Sequence, residues 1–245
     1  AVPSEHEFTG IHGFRLQAGV GRQLFIKIKK DIKSFGGYQL PKAEYRTLTV
    51  PEFPKELHIL GEGSLLTLSG EKKVGLMARD LLGVKVELGR VLPDQLQNLI
   101  SQSTGNFGHP DFSGDFGQDN LSERFESALP LPAQTPGTPI YQSVDLSRYM
   151  KDAQGNDKRG IFFLTATNYD PANPNNHNGV EATDKRLILV TDLGILVKTE
   201  QDGAQVVFVQ SIQTGRPQAG ADVEVIGKNG LVLFSGQTDA QGKVR

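Results

Sequence analysis

The sequence predicts an all-β chain of two β-sandwich domains, the first carrying one or two short inserted helices. Three observations carry this expectation. Apolar and polar residues alternate with period two along most of the chain, as half-buried strands require. Gly, Asn, Asp or Pro stands between most of the alternating runs, where chain reversals need them. The runs are short and closely spaced, which favours packed sheets over long helices.

Taken in order, Leu24, Ile26 and Ile28 alternate with Phe25, Lys27 and Lys29. Strand-like runs follow at 45–50, 57–60 and 65–68, then Val84, Val86 and Leu88 alternate with Lys85 and Glu87. After Pro93, the spacing of Leu92, Leu96, Leu99 and Ile100 predicts a short amphipathic helix ending near Gln102. Residues 103–120 are rich in Gly, Asn, Asp and Phe and read as a loop. A second helix is expected over 120–129, with Asn120 as cap, Glu123 as capping-box partner, and Leu121, Phe125 and Leu129 as the buried stripe. A connector with four prolines occupies 130–139. Further strands are expected at 160–167, 186–191, 194–198, 206–212, 221–225 and 231–234, with a long surface loop over 168–184.

The polar stretch 151–158, Lys-Asp-Ala-Gln-Gly-Asn-Asp-Lys, reads as a linker. The expected domains are therefore 1–150 and 159–245. The chain starts Ala1-Val2-Pro3-Ser4 without an initiator Met or an apolar leader, and it stops just as a strand begins, so it reads as a mature or excised segment.

Composition narrows the function. With 26 basic and 28 acidic residues and no Trp, the chain lacks the overall basic signature of a nucleic-acid binder, and none is expected as partner. Its apolar runs are too short to span a bilayer, and no direct membrane insertion is expected. There is no cysteine, which excludes disulfides, thiolate metal sites and a thiol nucleophile within these residues.

No catalytic constellation emerges. Gly19-Val20-Gly21 lacks the third glycine of a dinucleotide loop and leads into a strand, so it reads as a tight turn. His6, His12, His58, His109 and His177 show no metal-ligand spacing. Asp111, Asp115 and Asp119, and separately Asp152, Asn156 and Asp157, lack the order of a calcium loop and read as Asx-turns. Ser113 has no nucleophile-elbow glycine before it, and Asp80 and Glu87, seven apart, would face opposite sides of a strand-like run. Hence no catalytic, cofactor-binding or metal-binding residue is assigned, no cofactor is implied and no enzyme activity is expected.

One constellation is specific. Residues 187–198 read Leu-Ile-Leu-Val-Thr-Asp-Leu-Gly-Ile-Leu-Val-Lys. They are followed by Val207-Phe208-Val209-Gln210-Ser211, Thr214-Gly215-Arg216-Pro217, Ala219-Gly220-Ala221, Asn229-Gly230 and Thr238-Asp239-Ala240-Gln241-Gly242. Asn229-Gly230 predicts a type I′ hairpin and Gly242 a left-handed turn position. This is the turn grammar of a fibronectin/Ig-like sandwich. The order resembles the early macroglobulin-like domains of bacterial α2-macroglobulins. Residues 57–69, 78–80 and 89–96 resemble the domain that precedes them in those proteins.

The resemblance implies a non-catalytic scaffold fragment of a broad-spectrum endopeptidase inhibitor. In that family a protease cuts a bait region and is captured by an internal thioester. It also implies a periplasmic parent protein lipid-anchored to the inner membrane. Implied partners are host or foreign proteases, neighbouring macroglobulin-like domains and, in some relatives, a penicillin-binding protein. The thioester needs a Cys, which this chain does not have, so that chemistry and the bait region are expected elsewhere. A β-sandwich module of a surface adhesin shares the Thr-Asp-x-x-Gly grammar and is the alternative. A carbohydrate-active accessory domain would need exposed aromatic clusters.

Overall fold

A computed structural model describes residues 9–11, 13–61, 65–68, 70–112, 120–174 and 182–245. The chain divides into two compact units, Ala1–Pro54 and Lys55–Arg245. The all-β expectation holds, and the strand positions largely follow the alternation.

In the first unit, β1 (Gln23–Ile28) and β2 (Glu44–Thr49) form an antiparallel hairpin, with Leu24 opposite Leu48 and Lys27 opposite Tyr45. The Gly19–Gly21 segment is the expected turn. Arg22 N–H donates to the Gly19 carbonyl, and Gly21 sits at φ 76° and donates to Val50.

In the second unit two sheets face each other. One has the order β10 (Ile140–Asp145), β5 (Lys73–Arg79), β3 (Glu56–Ile59). The other has the order β4 (Leu65–Thr67), β12 (Thr183–Thr191), β11 (Gly160–Asn168), β6 (Gly83–Val91), β9 (Leu121–Pro130). Alternation explains the packing. Val84, Val86 and Leu88 of β6, Phe162, Leu164 and Ala166 of β11, and Ile188 and Val190 of β12 face the three-stranded sheet in one core. The opposite face of β11 and β12 is also apolar. There Ile161, Phe163 and Leu187 meet Leu99 of helix α1 (Leu96–Gln102) and Phe112 of the small hairpin β7 (Ser103–Gly105)–β8 (Pro110–Phe112). The helix thus shields a second apolar face of a central strand pair.

Besides the β7–β8 hairpin inside the expected 103–120 loop and the unit boundary after Pro54 inside the expected domain 1–150, three expectations need correction. Residues 151–158 are not a linker between domains. Lys151 and Asp157 form a bridge, Lys158 N–H donates to Met150, and the stretch reverses the chain into β11. β11 then pairs along its length with β6, and β12 with β11, so residues 160–191 complete the sheet of the preceding domain. A polar turn has the same composition whether it joins strands or domains, so only strand pairing separates the cases. The sheet system changes instead after Thr191, where β13 (Leu193–Thr199) pairs with β14 (Gln205–Ser211), and β15 (Asp222–Ile226) with β16 (Val232–Gln237). The short β17 (Lys243–Val244) adds to β14.

Second, residues 121–130 form a strand, not a helix. Leu121, Phe125 and Leu129 are four apart, a spacing that fits one helix face and one strand face equally. Pairing with β6 decides for the strand. Third, the turn at Asn229-Gly230 is longer than type I′. Gly227 and Leu231 close it, Gly230 alone is left-handed at φ 79°, and the Asn229 side chain accepts the Leu231 N–H. This is a type I turn with a glycine bulge.

Candidate functional site

The residues considered for chemistry do not converge. His58 is exposed on β3 and His109 is exposed before β8. His6, His12, His177, Ser113, Asp115 and Asp119 lie outside the described residues. Among the described residues no three His, Asp or Glu side chains gather as metal ligands. Asp80 and Glu87 do not share a strand: Asp80 occupies the β5–β6 turn at φ 54°, and Glu87 lies in mid-β6. Asp152 makes the expected Asx-turn, accepting from Gln154 and Asn156. The Asn156 side chain, then its backbone N–H, holds the Asp152 carboxyl below the ordinary range.

What the structure does gather are polar knots that join strands. The Asp192 carboxylate accepts the Ser211 hydroxyl at 2.9 Å and the Gln213 N–H at 3.0 Å. Ser211, itself buried, accepts the Thr214 N–H, and the Asp192 carbonyl accepts Ile212 at 2.6 Å. The turns before β13 and after β14 are thereby one hydrogen-bonded unit. Thr238 repeats the device: its buried hydroxyl accepts the Ala221 N–H and donates to the Gln218 carbonyl. Gly242 sits at φ 69°, as expected, and an added Cβ would collide with the Val209 carbonyl oxygen.

A third knot joins the two sheets of the sandwich. Arg186 of β12, almost fully buried, donates to the Ile59 and Leu60 carbonyls at 2.9 and 3.0 Å. Asp184 of the same strand accepts the Ile59 N–H at 2.7 Å. Two side chains two residues apart thus satisfy the open backbone edge of β3. The proline-bearing connector is pinned likewise. Asp80 accepts Gly137, and Gln134 bonds both the Asp80 N–H and the Leu81 carbonyl.

At the β6–β9 bulge, Glu123 takes φ 48° and meets Lys158 at 2.5 Å and Arg90 at 3.4 Å. Lys158 chiefly holds the Glu123 carboxyl below its ordinary range, against the opposing effect of burial, with Arg90 adding a smaller lowering effect. Lys158 also lies 5.0 Å from the Phe125 ring, which stacks on Tyr149. A concavity of about 340 Å³ opens beside the bulge, lined by Glu87, Phe125, Glu126, Phe163 and Thr165 among others. Its two carboxylates share Lys85, at 3.3 and 3.8 Å, and Arg124 lines the same concavity. This chemistry holds strands; the Ser211 hydroxyl beside the Asp192 carboxylate is itself buried and also accepts the Thr214 N–H. The knots were only partly legible. Thr-Asp and Gln-Ser stand out as motif residues, whereas the one signal for the sheet clip is a charged Arg at the head of the apolar run of β12.

Comparison with known proteins gives a consistent picture. The family profile "Bacterial alpha-2-macroglobulin MG3 domain" matches residues 190–245, starting where the sheet system changes. An alpha-2-macroglobulin homolog of Yersinia pestis is 36% identical over 250 residues, covering 98% of this chain and 12% of that protein. Alpha-2-macroglobulin of Pasteurella multocida is 35% identical, covering 99% of this chain and 13% of that protein. The chain therefore spans 12–13% of the length of these relatives. Among solved structures, native alpha-2-macroglobulin of Escherichia coli spanning domains MG0-NIE-MG1 shares the fold. Its TM-score is 0.55 at 20% identity, over 93% of this chain and 68% of that one.

Proposed function

Because the chain belongs to the bacterial α2-macroglobulin family, we propose that it is a non-catalytic scaffold segment of a broad-spectrum endopeptidase inhibitor that traps proteases after bait cleavage. The observation that carries the proposal is the match along almost the whole chain to much longer proteins of that name. The polar knots support it, because they bind turns to strands and sheet to sheet without presenting a reactive group. The alternative of a surface-adhesin module has no comparable support.

Capture by a thioester requires a Cys thiol, and this chain contains none. The capturing residues and the bait region belong to other parts of the longer protein. The partners of these domains are neighbouring macroglobulin-like domains and, through the whole protein, proteases. A periplasmic parent anchored by lipid to the inner membrane, and contact with a penicillin-binding protein, rest on the family resemblance. Incubating the 245-residue chain with a broad-specificity protease tests the assignment. Neither inhibition nor a covalent adduct on a denaturing gel is expected. A covalent adduct would place capture chemistry inside this chain and overturn the proposal.

A further inference from the structure

Overall the chain is nearly neutral, yet residues 22–49 carry seven basic side chains against two acidic ones, Asp31 and Glu44. Beyond β1 and β2 the hairpin continues as a second, narrower ladder. Asp31 N–H donates to Leu40, Leu40 N–H to Ile32, and Lys33 bridges Gln39. The ladder closes on a tight tip, in which Ser34 N–H donates to Tyr38 and Gly37 N–H to Ser34. Gly37 stands at φ 76°, and a Cβ on Gly36 would press on the Tyr38 ring at 3.1 Å, so the two glycines permit this tip. The tip holds Phe35 and Tyr38 outward, 84% and 81% exposed. Lys29, Lys30, Lys33 and Lys42, all exposed, flank it along the chain, with Lys30 lying 3.9 Å from the Asp31 carboxylate.

We infer that this tip is a contact site for an anionic bilayer surface. Aromatic rings settle at the headgroup level of a membrane, where an apolar body and a polar rim are both accommodated. Lysines beside them reach the acidic headgroups while their stems lie against the apolar layer. A protein partner would bury on the order of 800 Å² on each side and would have to take in the exposed Phe25, Ile28, Tyr45 and Leu48 of β1 and β2, whereas the basic side chains gather with the two rings at the tip. A single nucleic-acid strand needs a basic groove with rings along its floor, not at a point. The contact is interfacial, and no helix of the described residues is long and apolar enough to cross a membrane. It does not depend on the protease-trap reading.

The full chain contains no Trp, so Phe35→Trp introduces a single fluorescent reporter at the tip. With vesicles of phosphatidylcholine containing phosphatidylglycerol, its emission is expected to shift to the blue and the chain to sediment with the vesicles. Pure phosphatidylcholine should give neither, and high salt should weaken the binding. Replacing Lys29, Lys30 and Lys33 by Gln should lower the partition roughly a hundredfold, from about fivefold per lysine. Tyr38→Ser, at an exposed position, should weaken binding while leaving the circular dichroism unchanged. Lack of binding, equal binding to both vesicles, or binding unaffected by the lysine replacements would overturn the inference. Equal affinity for a soluble single-stranded oligonucleotide would overturn it in favour of a general polyanion site.

Discussion

The Ser211 hydroxyl donates to the Asp192 carboxylate across 2.9 Å, locking the turn before β13 to the turn after β14. Asp192 has a second acceptor role toward Gln213 N–H, so one side chain organises both turns. Asp192→Ala should destabilise residues 192–245 by about 1–3 kcal/mol, the magnitude for charge-assisted hydrogen bonds lost from a part-buried site. Asp192→Asn should recover part of that. Hydrogen exchange at Ile212 and Gln213 is the direct readout; unchanged protection in Asp192→Ala would refute the role.

Arg186 offers a test of how the two sheets are held. Arg186→Met keeps much of the volume but abandons the Ile59 and Leu60 carbonyls. The expected loss is about 2–4 kcal/mol, measured by urea unfolding followed at a residue of β3. Arg186→Lys should rescue only part, because an ammonium donates from a single nitrogen, whereas the guanidinium reaches the two carbonyls with separate arms of a planar fork.

Two glycines with the same backbone sign should respond differently. Gly230 at φ 79° has only ordinary contacts around an added Cβ, so Gly230→Ala should cost about 1 kcal/mol. At Gly242 the added carbon meets the Val209 carbonyl oxygen as well, so Gly242→Ala should cost at least about 2–3 kcal/mol. Equal thermal shifts for the two would show that the β14 contact yields freely.

The bulge ion group makes a signed pH expectation. Lys158 depresses the Glu123 carboxyl, so its contribution is present above the carboxyl's ordinary range and lost as pH falls through the depressed value. Because Glu123 is about a third exposed, the contribution should stay below about 1 kcal/mol. The stability difference between the natural chain and Glu123→Gln should be constant near neutrality and shrink below about pH 4. A difference that grew in acid would reverse the assignment.

Much of the fold could be read from alternation, and the failures have physical causes. Leu121, Phe125 and Leu129 recur at a multiple of two that also nearly matches a helical turn, and Ser127 interrupts the apolar face that would have exposed the period. β10 escaped for the same reason, since only Ile140 and Val144 turn toward the core, with Gln142 between them. The β11–β6 pairing joins residues roughly seventy to eighty-five apart and has no local signature, so a polar turn reads as a boundary. Gly242 could be read because φ and sequence motif coincide there. The Arg186 clip could not, since its acceptors are backbone carbonyls more than a hundred residues away.

The most direct measurement uses the full-length parent protein, incubated with a broad-specificity protease with and without prior methylamine, and analysed on a denaturing gel. The expected result is a covalent protease adduct that methylamine abolishes, with no covalent bond to residues 1–245. Absence of both adduct and bait cleavage would contradict the protease-trap account of this chain.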